Sequence, residues 1–313
     1  LAELYSLDEE IPTVPITYVN LLKYQQLDKN LLNDFKSKKN YEIKSFHGAG
    51  KVRMLICKDD KIVVPIKLQK LVVQWYHTQL CHPGTTRTEE TIRQHFTWKG
   101  LRPMVKEICS SCHNCQINKR QSIKYGKLPV KEEVYIPWEV LCVDLIGPYT
   151  IKQPDKENIT LWAITMIDPA TNWFEIKEIK TKRADVIANL VEQIWLTRYP
   201  WPTKVITDRG TEFLAEFAQL IKDEYGIEKK LITTRNPQAN SILERIHQTI
   251  GNMIRTFEVH NNQLDEDDPW SGILAAIAFA TRATIHTTLQ QTPSQLVFGR
   301  DAILNISHQA NWK

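Results

Sequence analysis

Short apolar runs and longer stretches of helical periodicity alternate along the second half of the chain. Val140-Leu141-Cys142-Val143 and Val205-Ile206-Thr207 are brief, rich in β-branched residues, and read as buried strands. The pattern predicts strands over 138–149, 159–168 and 172–180, a helix over 184–198, a strand over 204–208, a helix over 213–225 and a strand over 227–233. Two long helices follow over 241–259 and 270–289, the second opened by Asp268-Pro269 as N-cap and first-turn pair. The most regular amphipathic stretch starts at Ser241. At about 100° per residue, Ile242, Ile246, Ile250, Met253 and Phe257 share one face, and Glu244, Gln248, Gly251 and Arg255 share the opposite one.

The first half is more broken. A polar, Pro-punctuated start leads to a helix over Ile16–Phe35, with Val19, Leu22, Leu27, Leu31 and Leu32 as packing positions. Residues 51–65 read as two strands about an Asp59-Asp60 turn, and Lys67–Leu80 as a helix.

Against this pattern, three carboxylates are out of place. Asp144 lies inside an apolar strand with no basic neighbour in sequence, Asp208 ends another, and Glu244 opens the amphipathic helix 36 positions further on, with 35 residues between. A buried charge is costly unless paired. Carboxylates that converge repel one another, and hard divalent cations with oxygen ligands are the usual remedy. Two of these have simpler readings: Ser241-x-x-Glu244 is also a capping box, and Asp208-Arg209-Gly210-Thr211 is also a turn. Asp144 has no neighbour in sequence to explain it.

With 313 residues, 42% hydrophobic and 24% charged, the chain has room for two or three domains. No apolar run approaches the ~18–20 residues needed to span a bilayer, and no signal peptide opens it. Its first residue is Leu rather than Met, as expected of a product cut from a polyprotein or of a trimmed fragment. Net charge is only +4, but residues 100–131 hold seven Lys/Arg, among them Lys119, Arg120 and Lys124, against the one acid Glu107. Such a stretch solvates a surface or tracks phosphates.

Three of the six cysteines, Cys109, Cys112 and Cys115, crowd into seven residues, which favours metal over disulfides. His77-x4-His82 followed by Cys112-x2-Cys115 supplies two imidazoles and two thiolates, a closed tetrahedral zinc shell. Cys109-x2-Cys112 offers a competing register.

The segments VDLIGP, TDRGTEF and NPQANSILER, in that order and with the spacing of 35, resemble the D,D-35-E core of retroviral and retrotransposon integrases, most closely those of gypsy-type LTR retrotransposons. HTTLQQTPSQLVFGR resembles the end of the same core, and HPGTTRTEETIRQHFTWKGLRPMVKEIC fills the interval of its HHCC module. The family's C-x-x-CQ pattern favours Cys112 and Cys115, leaving Cys109, Cys81 and His113 as bystanders. The resemblance implies an RNase H-like α/β core, a mixed five-stranded sheet with flanking helices, preceded by a small helical zinc-binding domain. The implied division is an extension (1–48), the HHCC domain (49–125), a linker (126–137), the catalytic core (138–300) and the start of a truncated C-terminal region (301–313).

By resemblance, Asp144, Asp208 and Glu244 hold two Mg²⁺ (or Mn²⁺) ions per active site, and one structural Zn²⁺ sits on His77, His82, Cys112 and Cys115. Gln248, Arg255 and His247 are expected at the DNA end, with Lys119, Arg120 and Lys124 on phosphates. The implied activity is 3′-end processing of LTR DNA and strand transfer into target DNA by a homo-multimer with no membrane partner. It is expected in the nucleus, on chromosomal DNA, and in cytoplasmic virus-like particles as part of a polyprotein. The alternative is a domesticated, integrase-derived DNA-binding or interaction protein without catalysis; intact Asp144, Asp208 and Glu244 argue against it. A metal nuclease on the same fold gains no support from the HHCC module.

Glu244→Gln separates the cap from the metal ligand. A neutral amide can still close a capping box but is a poor substitute beside Mg²⁺. The variant is expected to unfold within about 1 kcal/mol of wild type while losing both trimming and joining of an LTR-end oligonucleotide. Joining at the wild-type rate would leave Glu244 as a cap only.

Overall fold

The computed structural model describes residues 14–37, 40–48, 50–119, 136–151, 159–207, 210, 213, 216–231, 246–256, 268 and 270–306. Two compact units divide the chain: residues 1–79 with 83–111, and residues 80–82 with 112–313.

In the first unit, α1 (Tyr18–Leu27) and α2 (Lys29–Lys36) replace the single helix expected over 16–35. Asp28 is the reason for the break. Its backbone is extended, and its Oδ1 accepts from the Leu31 N–H at 3.1 Å as N-cap of α2. Its other oxygen accepts from the Ile66 N–H at 2.9 Å. The inward face of α1 is also different from the expected one: Leu21, Tyr24 and Gln25 are buried, whereas Val19 and Leu27 are exposed. Strand β1 (Tyr41–Gly48) falls in the stretch read as an extension and pairs antiparallel with β2 (Lys51–Lys58). β3 (Lys61–Val63) follows after the Asp59-Asp60 turn, both residues at positive φ, and β4 (Phe96–Thr97) completes the order β1-β2-β3-β4. Helices α3 (Ile66–Gln79), α4 (Thr85–His95) and α5 (Leu101–Ser111) make up the rest.

Gln25 ties this unit together. Its Nε2 donates to the Ile56 and Val63 carbonyls at 2.9 and 2.8 Å, and its Oε1 accepts from the Ile56 N–H at 2.8 Å. A buried amide on α1 thus spans β2 and β3 with both amide hydrogens and its oxygen used.

The second unit holds α6 (His113–Asn118) and a five-stranded mixed sheet in the order β7-β6-β5-β8-β9. These strands are β5 (Val140–Ile151), β6 (Ile159–Ile167), β7 (Phe174–Ile179), β8 (Lys204–Thr207) and β9 (Glu228–Leu231). The first three are antiparallel neighbours; β8 runs parallel to β5, and β9 parallel to β8. That is the RNase H-like arrangement, a mixed five-stranded sheet, that the resemblance implies. Helix α7 (Ala184–Val191) widens into a π-helical turn at Glu192–Leu196, and α8 (Glu216–Gln219) does the same at Leu220–Glu224. Ile187, Val191, Trp195, Phe217 and Ile221 from these segments cover Leu141, Val143, Ile164 and Met166 on one face of the sheet.

Helix α9 is described over residues 246–256. Of the two last helices, α10 (Ser271–Ala283) stops earlier than expected, at the β-branched Thr284, and Asp268 accepts from the Ser271 N–H at 3.0 Å. α11 (Pro293–Phe298) is a separate helix whose capping box, Thr292 with Gln295, and left-handed Gly299 mark both its ends.

Gln25→Ala is expected to destabilise the protein by about 3 kcal/mol, because it leaves one N–H and two carbonyls buried without partners. Urea unfolding checks this, and Gln25→Leu, which keeps the volume, should cost nearly as much.

Candidate functional sites

The four sequence-predicted zinc ligands come together. One ligand atom each from His77, His82, Cys112 and Cys115 forms a set in which all lie within 4.8 Å of one another. His77 sits in the last turn of α3, 3% exposed. Two left-handed residues in succession, Cys81 (φ 57°) and His82 (φ 59°), then turn the chain so that the second imidazole is also buried. Backbone strain of this kind in non-glycine residues persists where the surroundings over-determine it. Cys112 is the N-cap of α6 and Cys115 lies one turn on, so their side chains share a helix face. The His82 Nδ1 is 3.4 Å from the Cys112 Sγ and 3.8 Å from the Cys115 Sγ. Zn–N near 2.0 Å and Zn–S near 2.3 Å in a tetrahedron give an N···S edge of about 3.5 Å. The donor set and its spacing therefore fit zinc.

Burial pushes the Cys115 thiol up to about 11, while the neighbouring Lys119 ammonium pulls the other way. Lys119 also donates to the His82 carbonyl. Zinc uptake at neutral pH must then displace a thiol proton. The expected bystanders stay outside the four-atom set: Cys81 is buried, His113 is exposed, and Cys109 lies beside His77 with its Sγ 3.5 Å from the Nδ1.

The second candidate site surrounds Asp144. Because strand side chains alternate, Leu141 and Val143 face the α7/α8 layer and Asp144 points to the other side. Its Oδ1 accepts from the Leu145 N–H at 2.8 Å. Thr165, opposite it on β6, donates to the Asp144 carbonyl at 3.0 Å and lies 3.2 Å from the His247 Nε2. The His247 Nδ1 is 3.7 Å from the Asp144 Oδ2. Burial pushes His247 down to about 4, so at neutral pH the imidazole is uncharged and this contact is not an ion pair. Thr165 is not among the residues that sequence reasoning singles out, although a hydroxyl in the middle of ITLWAITMI is a usable signal.

Asp208 and Glu244 lie outside the described residues, as do Arg120 and Lys124. β8 ends at Thr207, the residue before Asp208, and pairs with the start of β5. On α9, Gln248 is exposed as expected. Gly251 and Arg255 are less open than the helical pattern suggests. Gly251 is buried, and a Cβ there would meet the Tyr149 hydroxyl at 3.4 Å. Arg255 donates to the Asn252 Oδ1 at 2.6 Å and the Asn118 carbonyl at 3.3 Å. The contacts with Tyr149 and Asn118 are what the periodicity could not register.

Residues 64–121 match the model of the integrase zinc binding domain family. The similarity to known proteins extends beyond this stretch. The chain is 26% identical over 276 residues to the Transposon Tf2-3 polyprotein of Schizosaccharomyces pombe, covering 86% of this chain and 19% of that protein. It is 27% identical over 246 residues to the uncharacterized protein K02A2.6 of Caenorhabditis elegans, covering 77% of this chain and 18% of that one. It thus spans less than a fifth of the length of these relatives. Among solved structures, a simian T-cell lymphotropic virus intasome in complex with PP2A regulatory subunit B56 gamma aligns at a TM-score of 0.49 and 13% identity, over 76% of this chain and 78% of that one.

One zinc per chain is expected by metal analysis, and Cys112→Ser or Cys115→Ser should release it. Because thiol protons leave on binding, affinity measured against a competing chelator should rise with pH between 6 and 8. Retention by Cys115→Ser would point to the competing register.

Proposed function

We propose that the chain is the integrase of an LTR retrotransposon, of the gypsy type its motifs resemble, processing the 3′ ends of the element DNA and joining them to target DNA. The observation that carries this reading is the integrase zinc binding domain, with its four donors assembled, followed in one chain by an RNase H-like sheet with Asp144 on its central strand. Kinship with transposon polyproteins supports it.

Asp144, Asp208 and Glu244 are proposed to form the catalytic site. The Asp144 carboxylate accepts from the Leu145 N–H and faces the His247 ring, while Thr165 holds the Asp144 main-chain carbonyl. Asp208 follows directly on the strand that runs parallel to β5. The three carboxylates would hold two magnesium or manganese ions, which would supply activation of an attacking oxygen and charge stabilisation for a leaving one. In trimming, water attacks a phosphodiester near the 3′ end and frees a 3′-OH. In joining, that 3′-OH attacks a target phosphodiester, a P–O bond forming as another breaks, with no covalent protein intermediate. Gln248, which is exposed, is proposed to meet the DNA end, while Arg255 would have to leave its Asn252 and Asn118 partners to do so. Lys119, Arg120 and Lys124 would meet phosphates, in a homo-multimer acting in the nucleus after passage through a virus-like particle.

Asp144→Asn and Asp208→Asn are each expected to abolish trimming and joining of an LTR-end oligonucleotide in Mg²⁺ or Mn²⁺ while keeping DNA binding. Full activity in either variant sinks the proposal. Replacing Lys119, Arg120 and Lys124 with Ala should flatten the plot of log affinity against log salt by about 0.9 for each phosphate that is no longer neutralised. An unchanged slope would make this stretch a solvated linker.

A further inference from the structure

Cys109 is a bystander to the four zinc donors in number only. Its Sγ is 3.5 Å from the His77 Nδ1 and 3.8 Å from the Thr88 Oγ1, and Thr88 is itself 3.2 Å from the Pro83 carbonyl and 3.1 Å from the Gly84 carbonyl. These protons can be assigned from one end. A carbonyl oxygen only accepts, so the single Thr88 hydroxyl proton is spent on Pro83 and Gly84. The Thr88 oxygen then has lone pairs alone for Cys109, which makes the thiol the donor in that contact. With its proton spent, the Cys109 sulfur offers His77 only a lone pair, so the proton between them belongs to the His77 Nδ1. Thr88 is fully buried and His77 is 3% exposed, so competing water is largely excluded from this chain of contacts.

We infer that Cys109 is a positioning residue: with Thr88 behind it, it holds His77 as the Nδ1–H tautomer and so presents the Nε2 lone pair to zinc. The inference rests on the reading of His77 as a zinc ligand. His82 is turned the other way, with its Nδ1 toward the Cys112 and Cys115 sulfurs. The two imidazoles would therefore hold the ion through different nitrogens. Outer partners of a ligating histidine fix its ring and raise its basicity, and losing one typically weakens metal binding 10–100-fold. Cysteine suits the place because it can accept from His77 and donate to Thr88 at once, which alanine cannot and serine can.

The test uses the full zinc-loaded chain, with affinity measured by chelator competition and the His77 tautomer read from its ring-nitrogen NMR shifts. Cys109→Ala is expected to weaken zinc binding 10–100-fold, Cys109→Ser to stay within about threefold of wild type by the same reasoning, and Thr88→Val to move affinity in the direction of the alanine variant. Wild type and Cys109→Ser should both show a protonated Nδ1 and a metal-bound Nε2 on His77. Wild-type affinity in Cys109→Ala overturns the inference, as does zinc on the His77 Nδ1, an observation that the serine variant still provides if the alanine variant does not fold. Complete zinc loss in Cys109→Ser, with retention in Cys115→Ser, would make Cys109 a ligand and also overturn it. A wild-type chain that takes up no zinc removes the underlying reading itself, and is distinguishable because it needs no variant.

Discussion

A carboxylate on the central strand of an apolar sheet is the constraint on which the second unit turns. β5 is bounded by β6 on one side and β8 on the other, and its Leu141 and Val143 are locked into the covered face by Ile164, Met166 and the helices above them. Alternation then leaves Asp144 no choice of side. Such a charge is tolerable only where dipoles or cations compensate it. The described residues supply dipoles: the Leu145 N–H, with neutral His247 adjoining. These groups carry no net charge of their own. The proposed convergence of Asp208 and Glu244 on the same place would add negative charge, a burden that divalent cations offset and that a merely structural role would not create.

The zinc cluster follows a comparable logic in a smaller setting. The turn that delivers His82 uses two left-handed residues where glycines would have been easier. A zinc ion held by the four closely spaced donors would offset that strain, since structural zinc contributes on the order of 10–16 kcal/mol of apparent binding energy in small modules. Cys109 and Thr88 show that the arrangement extends beyond the donors. A ring nitrogen can serve as a ligand only if its partner nitrogen carries the proton, and the partners that decide this are set by packing between α3, α4 and α5.

Sequence alone determined the order of the core elements along the chain, the four His and Cys residues that gather and the anomaly of Asp144, because each leaves a local trace. Apolar runs of strand length, Cys and His at ligand spacing, and a charge inside an apolar strand are all properties of neighbouring positions. The readings that shifted depended on distant ones. Ile16–Phe35 has the periodicity of one helix, yet Asp28 caps a second helix and also binds Ile66, 38 positions away. Gln25 is polar enough for a surface, but β2 and β3 surround it with backbone groups. Thr165 meets Asp144 only through strand register, His247 approaches only when α9 crosses that face, and Arg255 finds Asn118 137 positions away. Tertiary structure alone decided these, because a hydrogen bond between remote residues is fixed by the path of the whole chain and leaves no periodicity in either segment that makes it.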